Sequence, residues 1–489
     1  MRETTKNNYD LMSLSLSYRY AIENQNISLA SVLREVLPRI IPTREEVEAI
    51  KKIADKIHKE ITWALNEEKI DAEVRLEGSV KKGTWISRSA DFDFFVLLKY
   101  SQKREKEELL RNVLRAIMKR LPYKFEIRYA EHPYLKTKIN GYDVDIVPAF
   151  KTPPDKIISA VDRTPYHTEF VLSKITPQFA NEIRLLKAFF KGINVYGAEV
   201  KVGGFSGYAC ELLIIYYKTF IKVIEELSSK KQFFIDLTSS WNKKEALRKF
   251  RHRFILIDPT DPNRNVTSAL RIDSLSRAIL MAKLFLEKPC IQYFFPKTHP
   301  INIKIEELLN TRSIILILLK KEKRTPPDVY WGQGLKIANK IKKVLQKSLF
   351  GFISIDTFET TDDVVLIVET YMKTLPPIQK IQGPPTYAKM AHIRRFYEKH
   401  KGEIISGPWI ENDRLYVLIK KQIRSVENLI DRYLKKIKIH PSFSSFVVLT
   451  KNPDIIRYAE KTGTMDTLLQ KIKKIDIQQK LQEDVLSSA

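Results

Sequence analysis

The stretch LEGSVKKGTWISRSADFDFFVLL, residues 76–98, joins a glycine-serine step and two lysines to a pair of aspartates that open an apolar run. Asp91 and Asp93 are two residues apart, and residues two apart in a strand project from the same face, roughly 6.6 Å from each other. The apolar residues from Phe94 to Leu98 predict that this strand is largely buried. Two neighbouring carboxylates there carry a large desolvation cost unless cations compensate them. The pattern therefore predicts a site for hard divalent cations, which prefer oxygen ligands.

A third carboxylate stands in the stretch YDVDIVPA, residues 142–149, where Asp145 lies between two β-branched residues. This spacing predicts a second buried strand, and we expect Pro148 to end it because proline cannot donate to a sheet ladder. Three carboxylates can hold two Mg²⁺ ions about 3.5–4 Å apart, which activate an attacking hydroxyl and neutralise a leaving group. Asp91, Asp93 and Asp145 are therefore the candidate catalytic residues and metal ligands.

A phosphate-binding turn is predicted upstream of the aspartates, where Gly78 and Ser79 follow a strand at residues 72–76. Glycine lets the backbone approach a phosphate closely, and the amides at the start of the next helix attract anions. Ser79 adds a hydroxyl, and Lys81 and Lys82 add positive charge. Gly-Ser alone or Asp-x-Asp alone usually marks a turn or a surface pair. The three elements in this order share one explanation, which is a nucleoside triphosphate bound together with metal ions.

The chain resembles the archaeal-type (class I) tRNA CCA-adding enzymes of the polymerase-beta nucleotidyltransferase superfamily. The resemblance runs from about residue 31 to 290 and rests on blocks in the family's order and spacing: AVDRTPYH at 160–167, NEIRLLK at 181–187, YGAE at 196–199, GFSGYACELL at 204–213 and DPTDPNRNV at 258–266. Bacterial and eukaryotic CCA-adding enzymes share the aspartates but not these further blocks. The resemblance implies that C, C and A are added in turn to the tRNA 3′ end from CTP and ATP, without a nucleic-acid template and with release of pyrophosphate.

The resemblance also implies which residues contact the nucleotide. Besides Gly78, the implied triphosphate contacts are Ser79, Lys82, Thr164, His167, Lys187 and Tyr196. Lys82 stands where the family usually has arginine, so it keeps the charge but loses the bidentate fork. Arg264 matches the arginine that reads the Watson–Crick edge of the incoming base and accepts both C and A. The structural alternative for Arg264 is an ion pair with Asp258 or Asp261.

The net charge favours a polyanionic partner. The 489 residues carry a formal charge of +26 at pH 7, which suits a phosphate backbone, although lysine-rich chains also occur as a habit of thermophiles. Two sets of basic residues have helical spacing and thus one common face each: Lys336, Lys340, Lys343 and Lys347, and Arg432, Lys435, Lys436 and Lys438. Each set is a candidate contact to the acceptor stem and TΨC arm of tRNA, recognised by shape and backbone charge. A plain solvated face is the alternative.

Other features exclude several classes of protein. The two cysteines, Cys210 and Cys290, have no paired or metal-ligand spacing, which indicates buried thiols in a cytoplasmic protein. No apolar run approaches the roughly 20 residues of a membrane span, and the first residues lack a signal-peptide core. We therefore expect no membrane partner. The sequence does not fix the oligomeric state, and a homodimer stays open.

The length predicts several domains. We expect an α+β multidomain fold with the following parts: an N-terminal extension at 1–30, a nucleotidyltransferase α/β head at 31–154, a mainly helical nucleotide-binding neck at 155–290, an RNA-binding-like α/β body at 291–376, a small tRNA-binding tail at 377–440 and a return to the body at 441–489. Within the neck, the spacing predicts one helix over 207–222 and a loop over 258–265. Within the body, we expect helices on one face of the sheet.

Two other functions remain open at this point. A poly(A) polymerase or an oligoadenylate synthetase would use the same metal site with ATP alone, and the blocks around Tyr196 and Phe205 argue against both. A catalytically silent RNA-binding protein could be built on the same fold. The three intact carboxylates argue against that reading.

Overall fold

The computed structural model describes residues 15–99, 106–129, 132–153, 157, 159, 161–296, 304–323 and 325–474. Residues 1–14 of the predicted extension, Ala160 of the first family block and residues 475–489 of the predicted return lie outside these residues. The chain divides into two compact units, Met1–Thr298 and His299–Ala489. The finer division into six segments stays a prediction.

The described residues of the first unit begin with five helices and a five-stranded sheet. The elements are α1 (Leu16–Glu23), α2 (Ile27–Ile40), α3 (Arg44–Glu67), β1 (Ala72–Glu77), α4 (Gly78–Lys82), β2 (Phe92–Lys99), α5 (Lys106–Arg120), β3 (Glu126–Tyr129), β4 (Pro133–Ile139) and β5 (Tyr142–Lys151). The strand order is β1-β2-β5-β4-β3, and only β2 and β5 run parallel. Helices α3 and α5 cover one face, where Phe92, Phe94 and Val96 enter the core. Because side chains alternate, Asp93 falls on the opposite face.

Pro148 does not end its strand, so that prediction is wrong. Pro148 lies within β5, opposite Val96 of β2. On its other side, β5 pairs with β4 only up to Ile146, so no ladder partner there needs the N–H that proline lacks. The Pro148 carbonyl accepts a hydrogen bond from His132 Nε2 at 2.6 Å instead. Whether a proline ends a strand therefore depends on whether the neighbouring strand needs a hydrogen bond from that position.

The rest of the first unit is mainly helical. Its elements are α6 (Thr164–Leu172), α7 (Pro177–Gly192), α8 (Gly207–Tyr217), α9 (Phe220–Ser229), β6 (Phe233–Ile235), α10 (Lys243–Phe250), β7 (Phe254–Asp258), β8 (Asp261–Asn265) and α11 (Ile272–Glu287). The ring of Phe189 on α7 lies 5.6 Å from the ring of Phe220 and 5.3 Å from that of Phe285. These contacts bring α7, α9 and α11 around one aromatic core.

Two predictions for this region are wrong. The helix expected over 207–222 is broken, because Lys218 has a φ of +75° and Thr219 caps a new helix by accepting from the Lys222 amide at 3.2 Å. The loop expected over 258–265 is the turn and second strand of the hairpin β7–β8. The Asp258 carboxylate closes that turn by accepting from the Thr260 amide at 3.0 Å.

The described end of the N-terminal extension packs on the helical region. Glu182 on α7 is fully buried and accepts hydrogen bonds from Ser15 Oγ at 2.8 Å and from the Ser17 amide at 3.0 Å. The same carboxylate accepts from the Phe220 amide at the start of α9. One buried charge therefore joins α1, α7 and α9.

The second unit contains a four-stranded and a three-stranded sheet. Its elements are α12 (Ile305–Thr311), β9 (Ser313–Lys321), α13 (Pro327–Gln346), β10 (Ser354–Glu359), β11 (Asp363–Thr370), β12 (Ile378–Pro385), α14 (Met390–His400), β13 (Ile404–Glu411), β14 (Arg414–Lys420), α15 (Val426–Lys436), β15 (Phe443–Leu449), α16 (Asn452–Thr462) and α17 (Met465–Lys473). The sheet orders are β10-β11-β9-β15 and β12-β14-β13. None of the described helices is both long and apolar enough to cross a bilayer.

Helices cover both faces of the larger sheet, which corrects the expectation of one covered face. Val365 and Ile367 of β11 pack with α12, α16 and α17. On the other face, α13 approaches so closely at Gly334 that a Cβ there would lie 3.1 Å from Val364 Cγ1. Strands buried on both faces have continuous apolar runs, as β9 and β11 do. One further expectation fails: Cys210 is buried, but Cys290 is only half-buried.

Candidate active site

The three predicted carboxylates line one cleft of about 310 Å³ in the first unit. The parallel pairing of β2 with β5 sets Asp93 directly beside Asp145. Asp91 lies one residue before β2 and is exposed, so its predicted place inside the strand is wrong. The pairing of β1 with β2 ends at Glu77 opposite Asp93, because the chain then turns into α4. Asp91 just before β2, Asp93 in β2 and Asp145 in β5 therefore line the same cleft.

The acidic side of the cleft has few hydrogen-bond donors. Burial, with Asp145 and Asp91 adding to it, raises the pKa of Asp93 to about 7. Burial also raises the pKa of Asp145, whose Oδ1 is buried without a hydrogen-bond partner. Among the described residues, no three Asp, Glu, His or Cys side chains yet stand close enough together to ligate one ion. The oxygen donors nevertheless fit Mg²⁺, which would draw these carboxylates inward.

Gly78 is tied to the acidic side by its geometry. Its φ is +69°, and a Cβ at this position would lie 1.9 Å from Asp93 Oδ2. Ser79 follows it on α4, and both residues line the cleft. Any larger residue at position 78 would displace the Asp93 carboxylate, so the predicted phosphate turn and the predicted metal site depend on the same glycine.

The basic side of the cleft is built around Glu211. Lys82 Nζ lies 2.5 Å from Glu211 Oε2, and Lys187 Nζ lies 3.1 Å from Oε1. Thr84 Oγ1 donates to the same carboxylate at 2.7 Å. Although burial opposes it, the charges of Lys82 and Lys187 lower the pKa of Glu211 to about 2. Sequence analysis missed Glu211; a lone charge in the apolar helix α8 was the available signal.

Other side chains complete the cleft. Tyr196 lines it beside Gly207, whose missing Cβ would lie 3.0 Å from the Tyr196 hydroxyl. Asp143 and Lys136 also line it, and sequence analysis missed both. Asp143-Val144-Asp145 repeats the Asp-x-Asp spacing, so that signal was available. Lys136 could be placed only once the pairing of β4 with β5 was known.

A second buried carboxylate joins the residues expected to contact the base and the phosphates. Asp258 accepts hydrogen bonds from His167 Nε2 at 2.9 Å, Arg264 Nη1 at 2.8 Å and the Tyr208 hydroxyl at 3.2 Å. The His167 ring stacks on Tyr208, with centroids 4.1 Å apart. Arg264 therefore makes the ion pair that its structural alternative required. Its side chain remains 34% exposed and lines a neighbouring pocket of about 590 Å³.

Thr164 is placed apart from the main cleft. It begins α6, three residues before His167, and it is not among the described residues that line the 310 Å³ cleft. The structure therefore groups Gly78, Ser79, Lys82, Lys187 and Tyr196 in one cleft. It links His167 and Arg264 to that cleft through Asp258 and Tyr208.

The predicted tRNA contacts lie in the second unit. Lys336 and Lys340 of α13 line a cleft of about 290 Å³ together with Lys438. Lys343 and Lys347 follow on the same exposed side, with Lys347 just past the end of the helix.

The second basic set is not one helical face, which corrects the prediction. Arg432, Lys435 and Lys436 lie exposed on α15, where Lys435 pairs with Asp431 at 2.7 Å. The helix ends at Lys436, and Ile437 is extended. The β-branched residues at 437 and 439 and the approach to Pro441 disfavour helix, so Lys438 lies beyond it.

Comparisons with known proteins show which family the chain belongs to. Three family models match: nucleotidyltransferase domain at residues 50–167, tRNA nucleotidyltransferase, second domain, at 181–295, and CCA-adding enzyme, C-terminal domain, at 310–440. A CCA-adding enzyme of Saccharolobus islandicus is 36% identical over 435 residues, which cover 88% of this chain and 98% of that protein. This chain belongs to the archaeal-type CCA-adding enzymes.

A more distant relative gives the same result. A CCA-adding enzyme of Pyrobaculum islandicum is 32% identical over 412 residues, covering 84% of this chain and 94% of that protein. Among solved structures, a cytoplasmic RNA terminal U-transferase is 15% identical with a TM-score of 0.42 over 55% of this chain and 97% of that chain. Family membership confirms the resemblance, the α+β fold with its nucleotidyltransferase domain, and the enzyme class. The roles of individual residues stay predictions.

Proposed function

We propose that this chain adds C, C and A in turn to the 3′ end of tRNA from CTP and ATP, without a nucleic-acid template, and releases pyrophosphate at each step. The observation that carries the proposal is the 310 Å³ cleft, in which an acidic side faces a basic side. The acidic side suits metal ions and the basic side suits a triphosphate. The CCA-adding enzymes among the relatives support the same reaction.

The lysines of the basic side are already held in position before a triphosphate binds. Glu211 holds the ammonium groups of Lys82 and Lys187 on its two oxygens, so little ordering of these side chains is needed on binding. The Ser79 hydroxyl and the Tyr196 phenol add neutral donors to the same cleft. His167 and Thr164, on α6, are the further phosphate contacts in this proposal.

The acidic side would hold two Mg²⁺ ions on Asp91, Asp93 and Asp145. When bound, they would activate the terminal 3′-hydroxyl and neutralise the departing pyrophosphate. The buried Oδ1 of Asp145 that has no hydrogen-bond partner supports this assignment. The 3′-oxygen would form a bond to the α-phosphate of the nucleotide while the bond between that phosphate and the pyrophosphate breaks. The lysines of the basic side are fixed on α4 and α7, so they would hold the pyrophosphate in line with the attacking oxygen.

Base recognition is assigned to Arg264. Nη1 of the Arg264 guanidinium donates a hydrogen bond to Asp258. The remaining donors of the guanidinium can bind acceptors on either cytosine or adenine. Because Asp258 also fixes His167 and Tyr208, the base contact and a phosphate contact share one anchor.

We assign tRNA binding to the basic residues of the second unit, which would contact the acceptor stem and TΨC arm. Lys336, Lys340 and Lys438 are the best placed of them, because they share one cleft. Cations on α13 and α15 would add phosphate contacts that carry no base information.

The test uses a tRNA that lacks its terminal CCA, with Mg²⁺ and each nucleotide supplied alone or together. CTP alone should add two residues, and CTP with ATP should add three. Asp145→Asn should add none while still binding the tRNA. A run of A from ATP alone would indicate a poly(A) polymerase, and no extension by the unaltered protein would leave only RNA binding.

A further inference from the structure

The acidic side of the cleft already contains a cation of its own. Lys136 stands directly opposite Asp145 in the antiparallel pairing of β4 with β5. Its ammonium lies 3.4 Å from Asp143 Oδ2 and 4.0 Å from Asp145 Oδ1. Lys136 therefore faces both carboxylates that β5 directs into the cleft.

The strand pattern holds Lys136 in this position. Leu135 and Ile139 of β4 enter the hydrophobic core, so Lys136 and Lys138 project from the other face, which carries Asp145. Moving Lys136 away would require a shift of the strand register, which the buried neighbours oppose. Lys138 carries the same charge and pairs with Asp143 at 3.5 Å, but its side chain is 73% exposed, against 35% for Lys136.

The contacts of Lys136 balance charge without saturating the carboxylates. Both distances are long for a charged hydrogen bond. Oδ1 of Asp145 is buried and has no hydrogen-bond partner, whereas Oδ1 of Asp143 lies 3.5 Å from the Lys138 ammonium. The Asp145 oxygen that a divalent ion needs thus stays available while the Lys136 ammonium offsets its negative charge.

We propose that Lys136 is a built-in counter-cation of the metal site: it neutralises Asp143 and Asp145 in the metal-free protein and competes with the divalent ions that bind there. The inference rests on the proposed metal-dependent function and deepens it. The charge at position 136 thereby raises the dissociation constant for the divalent ions.

The size of the effect follows from Coulomb's law. An Mg²⁺ ion lies about 2 Å from its oxygen ligands, so an ion on Asp145 Oδ1 would lie within about 6 Å of the Lys136 ammonium as it now stands. At the dielectric constant of water, one charge facing a divalent ion at about 6 Å changes the affinity about tenfold. If the ammonium swings aside instead, it loses its two carboxylate contacts, which also weakens metal binding.

A different role for Lys136 would be to bind the triphosphate. Lys82 and Lys187, the lysines expected to do so, are both held by Glu211, whereas Lys136 is held by the carboxylates of β5. The two roles predict opposite results when the charge is removed. A counter-cation predicts tighter metal binding, and a triphosphate ligand predicts weaker nucleotide binding with unchanged metal affinity.

The experiment measures Mn²⁺ binding to the full-length protein by the EPR signal of the free ion, without nucleotide or tRNA. Lys136→Met keeps the length of the side chain and removes its charge, and Lys138→Met is the matched control. The dissociation constant for Mn²⁺ should fall about tenfold in Lys136→Met and by less than about threefold in Lys138→Met. Lys136→Arg, which keeps the charge, should retain the original affinity. Thermal unfolding should show a larger stabilisation by Mg²⁺ in Lys136→Met than in the unaltered protein.

An unchanged or weaker Mn²⁺ affinity in Lys136→Met would overturn the inference, as would an equal gain in Lys138→Met. If Lys136→Met does not fold, Lys136→Gln serves as the second uncharged variant. Because the readout needs neither nucleotide nor tRNA, a failure of CCA addition would overturn the proposed function without changing this result.

Discussion

Replacing Glu211 by Gln should destabilise the first unit and leave the ratio of C to A addition unchanged. The Glu211 side chain is 1% exposed and is hydrogen-bonded by Lys82, Lys187 and Thr84. The glutamine keeps one carbonyl acceptor but leaves two buried ammonium groups without a counter-charge. Because those groups are the expected triphosphate contacts and the triphosphate is common to both nucleotides, the ratio of C to A addition should not change.

Two independent routes give the magnitude. Removing one partner of a buried ion pair costs about 3–5 kcal/mol. The fall in the pKa of Glu211 from its ordinary 4.5 to about 2 corresponds to about 3 kcal/mol of stability at neutral pH. Since the folded pKa is the lower one, this contribution is complete above pH 4.5 and is lost as the pH falls toward 2. The difference between the two proteins should therefore shrink on acidification.

Urea unfolding at pH 7 and at pH 3 tests this expectation. The matched control is Glu73→Gln: Glu73 also meets two cations, with Arg75 at 2.6 Å and Lys151 at 2.8 Å, but its side chain is 41% exposed. Such a surface pair contributes about 1 kcal/mol or less. A loss in Glu211→Gln no greater than in Glu73→Gln, or a loss that does not depend on pH, would refute the reasoning.

Three other changes separate chemistry, base choice and tRNA binding. Asp145→Ala should abolish nucleotide addition with nearly unchanged tRNA binding in a gel-shift assay; near-normal turnover would contradict the three-carboxylate site. Arg264→Ala should slow both C and A addition, since one guanidinium is proposed to contact both bases, and unaltered rates of both would contradict that role. Replacing Lys336, Lys340 and Lys438 together by Ala should lower the slope of log tRNA affinity against log salt by about 2 to 3, equally for tRNAs of different sequence. An unchanged slope would indicate that the cleft lined by these lysines is a solvated face that does not contact tRNA.

The acidic side of the cleft was predictable because its pattern is local. Asp93 and Asp145 are polar residues in apolar strands, and strand periodicity alone assigns each of them to one face. Their adjacency needed only the pairing of two strands that the sequence already indicated. The basic face of α15 was less predictable, because the end of a helix depends on the residues that follow it, and Lys438 lies beyond that end.

The counter-charges were not predictable from local pattern. Glu211 pairs with Lys82 across 129 residues and Asp258 with His167 across 91, so these partners follow from the fold alone. Lys136 is close to Asp145 in the sequence, but the two face each other only through the pairing of β4 with β5. The same reason explains why Pro148 was misjudged: a proline is tolerated or not according to the strand beside it. Residue types show where charge is buried, whereas only the tertiary structure shows what compensates it.

The two sides of the cleft follow one physical rule with opposite signs. Glu211 neutralises the lysines of the basic side, and Lys136 neutralises the aspartates of the acidic side. Each internal counter-charge lowers the cost of keeping like charges together in a buried place. A nucleotide bound with its metal carries both signs at once. In the proposed function it therefore adds a counter-charge to both sides of the cleft at once, whereas the free ion or the free triphosphate adds one to a single side.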